Sequence, residues 1–192
     1  MKLSKKGEYA LRALIDLGIA AEVKRPLVQV GELAEKEKLP VKFLEQVMQQ
    51  LKEAGFIESQ RGKFGGYRLA RPASQIAVGQ VIRWIDGPLA PIGCVSHTAY
   101  EPCSCPDEAH CGLRMLMLDV RNAIAGILDR YTLADVVEVT TRRMRRDGIP
   151  LPYSEPPGKA SPRPVVPRAA VLAPRLEPVE GLISNLIGDY TI

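Results

Sequence analysis

Between residues 30 and 69 two short amphipathic patterns flank Lys38-Leu39-Pro40, and a glycine-rich hairpin pattern follows them. Pro40 fits the connection and neither helix, because its ring removes a backbone donor and clashes with the preceding turn. Val30, Leu33 and Ala34 predict a helix over 30–37, and Phe43, Leu44, Val47, Met48 and Leu51 predict another over 41–54. Lys42, Glu45, Gln46, Gln49 and Gln50 fall on the opposite face of that second helix, and Gly55 suits its end. Residues 56–60 and 67–69 read as strands joined by the basic turn 61–66, whose glycines supply the positive φ angles of a hairpin tip. Upstream, Ser4 is a natural N-cap for an amphipathic helix over 5–22 that carries Tyr9, Ala10, Ala13, Leu14 and Leu17 at helical spacing. The order helix, helix, turn, helix, hairpin predicts a winged helix-turn-helix, mainly α with a small β wing.

Downstream, 78–85 reads as a short helix stopped by Gly87-Pro88, and 91–111 has no periodicity. That loop holds all four cysteines and both histidines, His97 and His110. A long helix is expected over 113–131. Thr132 and Asp135 then form a capping box for a last helix over 133–144. The cations Arg142, Arg143, Arg145 and Arg146 at its end suit the helix dipole; a phosphate or partner contact is the other reading. Nine of the sixteen prolines lie in 148–192, which reads as a disordered or weakly ordered tail with an apolar island at 182–190. The expected organisation is a DNA-binding domain at 1–72, a linker helix, Cys-rich sensor loop and dimerisation helices at 73–147, and the tail at 148–192.

Charge follows the same division. Residues 1–72 carry 14 Lys or Arg against 9 Asp or Glu, 73–147 carry 8 against 9, and 148–192 carry 4 against 4. The excess positive charge therefore sits on the segment expected to approach phosphates. Arg61, Gly62 and Lys63 place cations on a narrow tip suited to a minor groove. Lys42, Glu45 and Gln46 are residue types able to read base edges, though a solvated face fits them as well. No apolar run approaches the roughly 20 residues of a membrane span, and the N-terminus lacks a signal-peptide core, so a cytoplasmic setting is expected. There, cysteines spaced as Cys94-x8-Cys103-x-Cys105-x5-Cys111 are metal ligands or redox thiols more readily than disulfides. Without a Ser/His/Asp set or a phosphate loop, neither an enzyme nor a small-molecule substrate is expected.

These motifs resemble those of the Rrf-two family of bacterial regulators. The resemblance rests on LSKKGEYA at 3–10, FLEQ at 43–46, LKEAGFI at 51–57, RGKFGGY at 61–67, IAVG at 76–79, the Cys loop, and TLADVV at 132–137, and covers about residues 1–145. It implies a homodimer on a near-palindromic double-stranded DNA operator, with repression as the expected sign. Lys42, Glu45 and Gln46 fall on base-reading positions, Arg61 on the minor-groove position, and Ser4, Lys6 and Tyr9 where the backbone is approached. It also implies an iron–sulfur cluster, 2Fe-2S and 4Fe-4S both remaining open, on Cys94, Cys105 and Cys111. The inserted Cys103 and, from the partner's first helix, Glu8 are further candidate ligands. The histidine used by some members three residues after the last cysteine is here Arg114. The competing expectations are an electron-transfer protein without operator specificity and a zinc-stabilised regulator without sensing.

Overall fold

In the computed structural model, residues 2–154 are described. Six helices and one two-stranded antiparallel sheet make a mainly α fold with a small β wing. Helix α1 (Lys5–Glu22) is the central element: Ala10, Ala13, Leu14, Leu17 and Ala20 are buried along it, and it packs against α2, α3, α4, α6 and the second strand. Ser4 starts it by accepting the Gly7 N–H at 3.0 Å. Helix α2 (Val30–Glu37) opens with a Gln29/Glu32 capping box and stops at Lys38, a non-glycine residue at φ +55°. Pro40 is the N-cap of α3 (Val41–Glu53), whose Leu44, Val47, Met48 and Leu51 are buried. Gly55, at φ +70°, then turns the chain into β1 (Ile57–Gln60). β2 (Gly66–Leu69) returns antiparallel, with Ile57 opposite Leu69 and Gln60 opposite Gly66.

Two isolated pairings anchor these parts. Val28 exchanges backbone hydrogen bonds with Tyr67 at 3.0 and 2.8 Å, which fastens the wing to the segment entering α2. Ala77 pairs with Thr132, setting the start of α4 (Val78–Asp86) beside the start of α6 (Leu133–Arg146). Between them runs α5 (Gly112–Arg130), a 19-residue helix without a buried residue. The Thr132/Asp135 capping box is formed as expected.

One hydrophobic core joins Leu14, Leu33, Leu44 and Met48 to Ile76, Val81, Leu133 and Val137. The core therefore continues across residue 72, because α6 returns to α1: a Cβ on Gly18 would lie 2.5 Å from Val137 Cγ2. Packing also continues beyond residue 147. Tyr153 is half-buried against this core, and its O–H donates to the Asp16 carboxylate at 3.1 Å. The rest of the expected tail, 155–192 with its apolar island, lies outside the described residues. Among the described residues no helix is long and apolar enough to cross a membrane.

Candidate nucleic-acid interface and thiol site

The amphipathic pattern of α3 turns its apolar side to the core and leaves Lys42, Glu45, Gln46 and Gln49 exposed. Lys6 of α1 joins them along an open hollow of about 720 Å³ that also includes Gln50 and Glu53. Tyr9, also on α1, sets its ring edge-on to Phe43 at 5.6 Å, with the Arg12 guanidinium 5.5 Å from its centroid. Its ring thus braces α1 against the start of α3.

Arg61, Gly62 and Lys63 are exposed at the hairpin tip. The tip has a fixed shape. Gly65 N–H donates to Gly62 O at 2.9 Å, Gly62 sits at φ +114°, and a Cβ on Gly65 would fall 2.2 Å from Gln60 O. The Gln29 amide donates to Lys63 O at 3.3 Å, joining wing tip and α2. Ser4 is occupied within the fold: besides capping α1, its main-chain N–H and its hydroxyl both donate to Asp86. The basic cluster after Thr141 is likewise engaged. Arg142 pairs with Glu138, Arg145 with Glu22 at 3.6 Å, and Arg146 with Asp147 at 2.9 Å.

The loop after α4 brings the four cysteines to one cavity of about 250 Å³, lined also by Glu101, Leu113 and Arg114. Cys94 is buried in a 3-10 turn (Gly93–Val95), and Cys111 is the N-cap of α5. Cys103 and Cys105 come from the stretch between them and are half-buried. All four are free thiols, and the Sγ atoms of Cys105 and Cys111 lie 3.9 Å apart. Backbone N–H groups of Arg114 and Leu113, with the Arg114 charge, hold the Cys111 thiol below its ordinary range. Hydrogen bonds with Cys103 and then Cys111, together with burial, push Cys105 up to about 12. Burial first, then the Cys103 thiol, raises Cys94.

Among the described residues, no three His, Cys, Asp or Glu side chains converge tightly enough to hold a single metal ion. All four thiols nevertheless line one cavity of about 250 Å³, and cysteine thiolates are the ligand type that an iron–sulfur group takes. Glu8 does not line it; its carboxylate pairs with Lys5 at 2.7 Å and Arg12 at 3.5 Å on the same helix. Neither histidine lines it. His110 pairs with Asp107 at 2.6 Å, and His97 faces Arg121.

Sequence reasoning missed the frame around the thiols. Arg114 pairs with Glu108 at 3.0 Å and donates to Cys94 O at 3.3 Å, and Tyr100 O–H donates to Glu108 at 2.7 Å. The available signal was the inserted stretch itself, which carries acidic residues between the cysteines and a cation just after them.

A helix-turn-helix with an exposed polar face on its second helix and a cationic wing defines a DNA-binding regulator. The chain belongs to the Rrf2 family, whose model, described as an iron-dependent transcriptional regulator, matches residues 3–139. It is 36% identical to an rrf2-like HTH-type transcriptional regulator of Rhodobacter capsulatus, over 70% of this chain and 91% of that protein. It is 33% identical to the regulator IscR of Vibrio atlanticus, over 72% and 76%. Among solved structures it is similar to CymR, the global cysteine regulator of B. subtilis, with a TM-score of 0.61 and 30% identity over 72% of this chain and 98% of that one. It is also similar to T. potens IscR, with a TM-score of 0.58 and 29% identity over 74% and 90%. Members of the family are transcriptional regulators, not enzymes.

Proposed function

We propose that this regulator works as a cytoplasmic homodimer on a near-palindromic operator, and that the state of its thiol cavity sets its operator affinity. The carrying observation is that four cysteines, scattered over 18 residues of aperiodic loop, line one cavity directly ahead of α5.

On the DNA side, Lys42, Glu45 and Gln46 project from α3 for base edges, Arg61 with Gly62 and Lys63 for the minor groove, and Lys6 for phosphate. Tyr9 holds the spacing between α1 and α3 as well as lying near the backbone path. Ser4 offers α1 its cap, so its part in phosphate contact is limited to positioning Lys6 and the helix N-terminus. The dimer reading is supported by α5, where Leu113, Leu116, Val120, Ile124 and Ile127 recur at the near-3.5 spacing of a helix seam. Leu113, Leu116, Val120 and Ile127 are exposed in the single chain.

On the sensor side, Cys94, Cys105 and Cys111 would hold an iron–sulfur cluster, with Cys103 completing the set in preference to Glu8. When bound, such a group supplies a redox-active and chemically labile centre, of 2Fe-2S or 4Fe-4S type. Cys94 follows α4 and Cys111 caps α5, so joining their thiols fixes how these two helices are set relative to each other. Arg114 supports negative charge in the cavity. The 3.9 Å approach of Cys105 to Cys111 favours a second reading, a thiol switch. There hydrogen peroxide would take two electrons and two protons from the pair, leaving one disulfide and two waters.

Anaerobic purification with an absorption spectrum and iron and sulfide counts tests the sensor, followed by mobility shifts with and without the bound group. Iron with equimolar sulfide and a state-dependent shift is the expected result. Zinc in place of iron, or equal DNA affinity in all states, would overturn it. Absence of operator-specific binding in every state would favour electron transfer.

A further inference from the structure

Phe64 is the most exposed large apolar side chain among the described residues, at 81% accessible, and it stands at the tip of the wing. Its position is built into the fold. The turn is closed by Gly65 N–H on Gly62 O, and a Cβ on Gly66 would lie 2.6 Å from Val28 O. The Val28–Tyr67 pairing and the Gln29 bond to Lys63 O tie the tip to the entrance of α2. Phe64 therefore points away from the core, although burying such a ring is favourable.

The surroundings say what covers it. Arg61 and Lys63 are its near neighbours, and the Lys63 ammonium lies 5.8 Å from the ring centroid. An apolar protein surface would have to desolvate these cations without compensation. A minor groove offers both complements, with phosphates along its rims and apolar sugar edges and base steps between them. Resting on the DNA-reading role of the wing, we infer that Phe64 is an apolar wedge that enters the minor groove beside Arg61 and favours sites with an easily unstacked step there. Pyrimidine–purine steps are the ones that open at least cost.

The probe is a duplex selected by the full-length protein from a randomised pool, with 2-aminopurine substituted at successive steps. Phe64→Ala is expected to weaken binding about tenfold at every salt concentration, leaving the salt slope unchanged, because an apolar contact releases no counterions. Phe64→Leu should retain part of the affinity. The wild type should brighten 2-aminopurine at one step, and Phe64→Ala should not. Since Phe64 is exposed, both variants should melt with the wild type. If Phe64→Ala binds like the wild type while Arg61→Ala is weakened, the wedge is refuted and the wing reading stands. If neither change matters, the wing reading itself fails. If Phe64→Ala acts only by dissociating the dimer in sedimentation, Phe64 is a contact between copies and the wedge is again refuted.

Discussion

The main-chain N–H of Ser4 donates to the carboxylate of Asp86 at 2.8 Å, joining the residue ahead of α1 to the last residue of α4. The Ser4 hydroxyl donates to the same carboxylate, and Gly7 leaves room for it: a Cβ there would lie 2.6 Å from Asp86 Oδ2. Gly87, at φ +88°, and the thiol-bearing loop follow immediately. Asp86 thus ties the start of α1 to the end of α4, directly ahead of the cysteine-bearing loop. Asp86→Ala should cost about 1 kcal/mol, as losing a helix cap does, and lower Tm by roughly 2–4 °C. If the state of the thiol cavity sets operator affinity, as proposed above, it should also narrow the gap in affinity between the two states. A titration in both states would show this, and an unchanged gap would remove Asp86 from the coupling route.

A second consequence concerns acid. Asp16 is 1% exposed and receives the Lys36 ammonium and the Tyr153 O–H. Burial pushes its carboxyl up to about 6; Lys36 pulls the other way and is outweighed. Since the ordinary value is 3.8, the folded chain holds this proton more tightly than the unfolded one. The stabilisation is complete below about pH 4, falls as pH rises through 6, and is flat above that. In neighbouring Glu37, burial raises the carboxyl but Lys36 and Arg12 outweigh it, so that group titrates with the opposite sign at lower pH. Asp16→Asn removes only the first contribution. Between pH 4 and 6.5 the wild type should therefore lose stability relative to Asp16→Asn, as measured by denaturant midpoints; parallel curves would contradict the assignment.

The helix boundaries were readable because each has a local chemical cause. Ser4 caps α1, Pro40 separates α2 from α3, Gly55 ends the helix-turn-helix, and Thr132 with Asp135 opens α6. The isolated pairings Val28–Tyr67 and Ala77–Thr132 were not readable, since a single bridge has no periodicity. The contact of Gly18 with Val137 was hidden for a similar reason: it joins residues more than a hundred positions apart and depends on how α6 returns. Tyr153 was masked by its proline-rich surroundings. At the candidate site, residue types on α3 and the wing followed from helical and hairpin spacing. The gathering of Cys103 with the other thiols did not, because an aperiodic loop gives no rule for which side chains converge.

The exposed stripe on α5 yields a third prediction. Helix α5 has 19 residues, none buried, and carries an exposed apolar seam of the kind the proposed dimer would cover. Leu116→Glu places a charge in that seam, and charge burial without a partner is costly. Sedimentation should show a monomer at concentrations where the wild type is dimeric. DNA affinity should fall at least a hundredfold, on the order expected when two half-sites no longer bind together. A variant that remains dimeric would move the interface elsewhere.

The wing cation gives a fourth. Arg61 is exposed on a tip whose shape the glycines impose, so Arg61→Ala should not disturb folding. It should weaken operator binding by about 1–3 kcal/mol and reduce the salt slope by about one. That change in slope separates Arg61 from the neighbouring Phe64, whose loss should leave the slope intact. Equal affinities for Arg61→Ala and wild type at fixed salt would remove Arg61 from the groove contact.

The ligand question turns on Cys103 and Glu8. Cys103 lines the cavity with Cys94, Cys105 and Cys111, whereas Glu8 is held by Lys5 and Arg12 on its own helix. Using Glu8 would mean breaking both ion pairs and bringing a partner's α1 to the loop. Using Cys103 requires only thiol deprotonation and a local shift within one loop. Cys103→Ser should therefore lower iron and sulfide content and alter the absorption spectrum, and Glu8→Gln should leave both near wild type. Cys111→Ser, which removes the thiol at the α5 N-cap, should abolish the colour. If Glu8→Gln loses the iron while Cys103→Ser keeps it, the fourth ligand is the partner's carboxylate, and sensing is tied to dimer geometry instead of to one chain's loop.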